Sequence, residues 1–318
     1  MGRCMNDSIA ALAPDSLVTV IGGSGFLGRY IVQQLAEAGA RVRVVVRRPD
    51  SALFLKPLGG LGQIQIVRGD IGADTGIARV FEGAAAGINL VGILAESGKQ
   101  TFSAVQAKGA ARAAGAAAAA GITAYVQMSA IGADTASDIP YARTKGEGEA
   151  AVRAAIPTAV ILRPSLVVGP EDQFLNRFAA MARSAPVLPV IAGDSRFQPV
   201  YVQDVAAATV AALAAPAGIY ELGGPDVLSF RAIMAMINTE TRYNRMMIEV
   251  PAGLARIIAS LPFTPIDRDQ LAMLQNDNVA NPALPGLAAL GIVPTPMAAF
   301  APAMLERYRA GGRFNRKP

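Results

Sequence analysis

Apolar and polar positions change register along the first half of the chain in a repeating order. Short β-branched runs fall at 17–21, 41–46, 64–68, 87–93, 123–128 and 158–163. Runs of that length, rich in Val and Ile and with little alternation, read as strands buried on both faces. Between them apolar residues recur at helical spacing over 26–38, 74–83, 99–119 and 139–155. Strand and helix in strict alternation predict an α/β fold of the Rossmann-type doubly wound class, a parallel sheet covered by helices. Right-handed crossovers would carry the carboxyl end of every strand to one edge of that sheet. The same edge would then hold the glycines after the first strand, Arg47 after the second, Asp70 after the third, Gly92 after the fourth and Ser129 after the fifth.

From Gly169 onward the alternation weakens. Prolines recur at 170, 186, 189, 199, 216 and 225, and helical patterns shorten to 174–184, 203–214 and 229–239. The expected division is an N-terminal tail at 1–16, a Rossmann domain at 17–168, a smaller irregular C-terminal lobe at 169–261 and an extended docking segment at 262–318. Two apolar stripes stand in that last region, Leu254, Ile257, Ile258 and Leu261, then Met297, Phe300, Met304, Leu305 and Tyr308. The final twelve residues add Arg307, Arg309, Arg313, Arg316 and Lys317 with no acid among them. Such stripes commonly belong to a core, but a basic amphipathic end also suits a membrane interface or an acidic partner. A membrane-docking C-terminal segment is the expectation here.

Composition narrows the chemistry. With 29 Lys and Arg against 24 Asp and Glu, the net charge is +5. The cations are dispersed, with no basic helix or aromatic-interleaved patch, so no nucleic-acid partner is expected. Cys4 is the one cysteine and there is no histidine, which leaves no disulfide framework and no expected metal site. Catalysis without histidine falls to Tyr, Lys, Ser, carboxylates or a cofactor. The uncharged stretch 113–133 is Ala-rich and broken by Gly115 and Gly121, and reads as a helix end followed by a strand. Residues 1–16 carry acids and no long apolar run, so no signal peptide is expected.

Val18-Thr19-Val20-Ile21 runs into glycines at Gly22, Gly25 and Gly28, and a helical pattern opens at Phe26. Strand, glycine turn and helix in that order build a dinucleotide pyrophosphate site, the phosphates lying against free N–H groups at the positive end of the helix. The second strand ends in Arg47-Arg48, with Asp50 further on. An acid at that strand end would select a ribose 2′-hydroxyl, whereas arginine accommodates a 2′-phosphate, so NADP(H) is the expected cofactor. Asp70 closes the third strand, either as an acceptor for the adenine amino group or as a turn aspartate. Tyr141 and Lys145 stand four apart on a predicted helix and share a face. An ammonium there would lower the phenol pKa and suit acid–base work beside a hydride donor, and Ser129 could share a substrate oxygen. Asp204 opens the helix at 203–214 as a candidate cap.

Taken together, these motifs resemble the extended and atypical short-chain dehydrogenase/reductase superfamily. Within it the chain looks most like the NADPH-binding accessory subunits of respiratory complex I. The resemblance runs over roughly residues 16 to 240, through GGSGFLGRY at 22–30, Asn89 to Gly92, YARTKGEGE at 141–149, LRPSLVVGPEDQFLNRF at 162–178, RFQPVYVQDV at 196–205 and YELGGP at 220–225. It implies cofactor contacts from Phe26, Leu27, Ile71, Val91, Gly92, Lys145 and Pro164 besides the glycines and arginines. It also implies docking on complex I near the junction of the membrane and peripheral arms, on the cytoplasmic face of a bacterial inner membrane. The chain keeps Tyr141 beside Lys145, where mitochondrial members tend to lose the tyrosine, and carries Tyr201 where relatives often have histidine. Three functions therefore stand open: an accessory or assembly subunit with a structural cofactor, an independent NADP-dependent reductase or epimerase using Ser129, Tyr141 and Lys145, and a sensor of the NADP(H) ratio.

Overall fold

Six of the expected strands form, and a seventh joins them. In chain order they are β1 (Leu17–Ile21), β2 (Arg41–Val46), β3 (Ile64–Arg68), β4 (Ala86–Asn89), β5 (Ala124–Met128) and β6 (Val160–Pro164). They pair in parallel in the order β3-β2-β1-β4-β5-β6, and Gly218–Leu222 adds a further parallel strand beside β6. The computed structural model describes residues 15–73, 76–251, 253 and 268–311. Helix α1 (Phe26–Glu37) follows the glycine turn, α2 (Lys108–Ala119) precedes β5, and α3 (Pro140–Ala155) links β5 to β6. Both faces of the inner strands β1, β4 and β5 are dry. Val18, Val20, Val42 and Val44 are fully buried, and Ile21, Val45, Phe81, Tyr125 and Ile161 pack with the alanines of α2.

Three expectations change. Strand β4 stops at Asn89, four residues short of the expected end, because the Asn89 Oδ1 takes the Val91 N–H (3.1 Å) and turns the chain out of the sheet. The helix expected at 74–83 is absent among its described residues, which form turns. The helix expected at 99–119 begins as a π-helical turn (Ser103–Ala107) before α2.

The chain divides into two units, each built from separated stretches. The first takes Met1–Pro164, Val202–Leu222 and Asn281–Val293; the second takes Ser165–Tyr201, Gly223–Ala280 and Pro294–Pro318. This replaces the contiguous division expected from proline frequency. The helix expected at 203–214 forms over Val202–Ala211, but it packs on α1 in the first unit, where Gln34 Nε2 donates to the Gln203 carbonyl (3.2 Å). Asp204 lies inside its first turn.

The second unit has a core of its own. Two short parallel pairs, Val167–Val168 with Val200–Tyr201 and Val187–Ile191 with Met246–Val250, accompany helices Leu175–Ser184 and Phe230–Thr241. Phe174, Phe178, Phe197 and Phe230 meet edge-on or tilted at its centre. The stripe expected to dock on a membrane sits in this core: Met297, Phe300, Met304 and Leu305 are all buried against it, on the helix Met297–Leu305. Burial removes that face from any membrane contact. Arg309 pairs with Glu240 (3.2 Å), and Arg307 donates to the Pro170 carbonyl (2.6 Å) and to Asn176. The stripe from Leu254 to Leu261, and Cys4, Arg313, Arg316 and Lys317, lie outside the described residues.

Candidate functional site

The strand order reverses between β1 and β4, the place where parallel α/β sheets open a crevice at their carboxyl edge. Gly22 leaves β1 at φ +82°, a left-handed conformation that a side chain would strain, and its N–H donates to the Val45 carbonyl (3.0 Å). Val91 leans over the same turn, its Cγ2 3.0 Å from where a Gly22 Cβ would stand. Gly28 is the close approach: a Cβ there would meet the Gly22 oxygen and the Gly23 backbone at 2.6 Å. Gly25 is different in kind. It is exposed, its φ of −72° is ordinary, and a Cβ would find only the Gly22 oxygen at 3.3 Å. Gly25 is also the N-cap of α1, where no side chain caps the helix and no acid stands in the first turn. No side chain caps the first N–H groups of that helix, the setting for an anion.

Arg47 and Arg48 follow β2 on this edge, both exposed, and no side-chain ion pair holds either among the described residues. Asp50 is exposed at the start of the 3₁₀ helix Pro49–Leu58. Phe26 and Leu27 are half-buried at the helix start, Phe26 edge-on to Tyr30. Asp70 accepts the Gly72 N–H (2.8 Å) as a turn aspartate, with its side chain exposed. Ile71 points into the core, and its carbonyl accepts from Arg112 (2.5 Å). Pro164 is buried at the end of β6, its carbonyl taking the Ile131 N–H (3.2 Å).

Lys145 and Tyr141 share the buried face of α3. Lys145 Nζ reaches the Met128 carbonyl at the end of β5 (3.4 Å) and lies 3.0 Å from where a Gly92 Cβ would be. Gly92 thus leaves room for the ammonium. Burial lowers the Lys145 pKa to about 8, against the opposing charge of Glu149. The expected lowering of the tyrosine is overturned: burial pushes Tyr141 up to about 12, since a phenolate there loses its hydration. Its ring packs edge-on to Phe102.

Ser129, expected to meet a substrate oxygen, instead donates to a residue the sequence reading passed over. Its Oγ lies 2.5 Å from Glu149 Oε1, and both side chains are buried. Arg163 grips Glu149 with two bonds, Nε to Oε1 (2.9 Å) and Nη2 to Oε2 (2.7 Å). The remaining Arg163 nitrogen reaches Glu221 (3.4 Å), whose other oxygen accepts the Asn281 N–H (2.8 Å). Two carboxylates are balanced by Arg163 and Lys145. No metal-ligand cluster occurs among the described residues.

A seven-stranded doubly wound sheet with a Gly-x-x-Gly-x-x-Gly turn at its switch point and a Tyr-Lys pair beside it defines a dinucleotide-binding α/β protein. The chain belongs to the NAD dependent epimerase/dehydratase family, which matches residues 18–223. It is similar to subunit 9 of the mitochondrial NADH dehydrogenase [ubiquinone] 1 alpha subcomplex of Arabidopsis thaliana, 34% identical over 93% of this chain and 79% of that protein. It is also similar to the ceramide reductase of Caulobacter vibrioides, 39% identical over 65% of this chain and 64% of that one. In fold it is similar to an epimerase from Methanothermobacter thermautotrophicus, at a TM-score of 0.74 and 19% identity over 96% of this chain and 95% of that chain.

Proposed function

We propose that the chain is an accessory subunit of a proton-pumping NADH:quinone oxidoreductase, holding NADP(H) as a resident cofactor. The supporting observation is the span of its likeness to the Arabidopsis subunit, which continues past the family match at residue 223 across 93% of the chain. The uncapped start of α1 and the space before Gly25 fit a pyrophosphate. Arg47 and Arg48 fit a 2′-phosphate, since guanidinium groups fork onto phosphate oxygens. When bound, the nicotinamide supplies a hydride. The chain's own contribution is to hold the turn open with Gly22 and Gly28, to keep Lys145 beneath Gly92, and to present a protonated phenol at Tyr141. No helix among the described residues is long and apolar enough to cross a membrane, consistent with a peripheral place on the complex at the cytoplasmic face.

The test is purification of the tagged full-length protein from its native membranes in mild detergent. Complex I subunits should co-purify in fixed proportion, with NADP(H) released on denaturation; their absence, with cofactor retained, would favour an enzyme. Two observations support that second reading, an NADP-dependent reductase. Tyr141 and Lys145 are both present on one face of α3, and the likeness to the ceramide reductase is the higher in identity, though over less of the chain. Turnover would then vanish in Tyr141→Phe, because a positioned acid or base typically contributes about 10²–10⁴-fold.

A further inference from the structure

We propose that the 3₁₀ helix Pro49–Leu58 and the glycine turn after it dock this protein on the surface of an anionic lipid bilayer. The inference stands apart from the cofactor and complex I readings above. A 3₁₀ helix turns once in about three residues, so its positions fall on three faces. Ala52 and Leu55 are buried on one of them. The other two carry Leu53 with Lys56 and Phe54 with Pro57, all exposed. A surface helix ordinarily shows polar residues there. The chain then turns through Gly59-Gly60-Leu61-Gly62, and the Leu61 side chain is fully exposed at the tip. Gln63 braces that tip. Its Oε1 accepts the Gly60 N–H (2.7 Å), and its Nε2 donates to the Ala36 and Ala40 carbonyls (2.7 and 2.9 Å) at the end of α1.

Charge selects the occupant. Residues 41–69 hold Arg41, Arg43, Arg47, Arg48, Lys56 and Arg68 against Asp50 alone, and that excess of five equals the net charge of the whole chain. Arg41 pairs with Asp15 (3.1 Å), and Arg43 donates to the Val80 and Glu82 carbonyls. Lys56 lies within the helix and Arg68 ends the edge strand β3; both are exposed, with no ion pair among the described residues. A second copy of the chain is disfavoured as occupant, because two such surfaces would meet cation to cation. A protein pocket suits Leu61 poorly, since the glycines on either side of it leave no side chains to seal a rim against water. Lipid closes round a lone apolar side chain without matching its shape, while cations beside it meet anionic headgroups.

Two measurements on the full-length protein test this. In the first, the protein should sediment with vesicles of phosphatidylglycerol and phosphatidylcholine in equal parts, and not with phosphatidylcholine alone. Leu61→Asp and Lys56→Glu should each weaken that binding about tenfold, and added salt should weaken it in the unmodified chain. Both side chains are exposed, so neither variant should move the thermal unfolding midpoint. The second measurement uses the absence of tryptophan from the chain, which makes Leu61→Trp a single reporter at the tip. Its emission should shift to the blue on the mixed vesicles and be quenched by brominated acyl chains. Val293→Trp should do neither, because that exposed residue ends the stretch bonded to the strand at the opposite margin of the sheet. Failure to sediment with the mixed vesicles, or binding untouched by Leu61→Asp, overturns the proposal. So does a Leu61→Trp emission that shifts with a protein partner and not with lipid.

Discussion

At the scale of single residues, Gly25 and Gly28 sit one helical turn apart and answer to different demands. A Cβ at Gly28 would press into backbone at 2.6 Å, and backbone cannot swing aside. Gly28→Ala should therefore cost about 1–3 kcal/mol in denaturant unfolding, as overpacking does. Gly25→Val meets a single tight contact, the Gly22 oxygen at 3.3 Å, at an allowed φ, so it should cost stability less than Gly28→Ala does while abolishing NADPH binding by titration. The two variants thus separate fold from site. Lys145 makes a prediction in pH. A lysine whose pKa falls from 10.5 to about 8 on folding is a cost, full below pH 8. As the pH rises, the folded chain sheds the proton before the unfolded chain does, so stability climbs between about 8 and 10.5. Tyr141, raised from 10.0 to about 12, acts oppositely above pH 10. Urea unfolding between pH 8 and 10 should show the rise, on the order of 3 kcal/mol at its limit, and Lys145→Met should abolish it. The glycines and the Tyr-Lys pair were legible because each works through local spacing. Glu149 was not, because it reads as one more polar helix residue until Arg163 and Glu221 arrive from distant strands.

At the scale of elements, the strands were legible because Val and Ile runs in a doubly covered sheet leave a strong local signature. The segment 74–83 shows where such signatures mislead. Ile77, Val80 and Phe81 have helical spacing and are buried, yet the described residues 76–83 form turns. The Val80 carbonyl accepts from both Thr19 Oγ1 and Arg43 Nη1 at 2.8 Å, and the Glu82 carbonyl accepts from Arg43 as well, at 2.8 Å. Carbonyls occupied from outside have no use for a helix. The edge of β2 carries a prediction about the cofactor. Among the described residues Arg47 and Arg48 have no competing ion pair, so replacing both with serine should weaken NADPH by about tenfold or more and leave NADH nearly unchanged in parallel titrations. The helix Met297–Leu305 carries another. Removing everything after Pro294 takes four large buried side chains from the second unit, each stabilising by about 1.5–3 kcal/mol. The truncated chain should lose hydrogen-exchange protection around Phe178 and Phe230 rather than merely lose a docking surface.

At the scale of the whole molecule, the fold class was readable from the first half of the chain, but the partition was not. The strand Gly218–Leu222 closes the sheet beside β6, and its place depends on register with Val160 to Pro164, which no local pattern encodes. The returning stretch Asn281–Val293 is anchored by Glu221, which takes the Asn281 N–H, and by the Glu221 N–H, which donates to the Pro285 carbonyl (2.9 Å). This interleaving bears on how the protein is made. On the ribosome the N-terminal six strands emerge early, but the seventh strand follows only after the second unit's first stretch, Ser165–Tyr201, and its anchor only after Gly223–Ala280 as well. The outer edge of β6 therefore stays unpaired until translation has passed residue 222, and the seventh strand lacks its anchor until residue 293. For as long as the intervening chain takes to appear, that edge offers an unpaired row of N–H and C=O groups to any other strand.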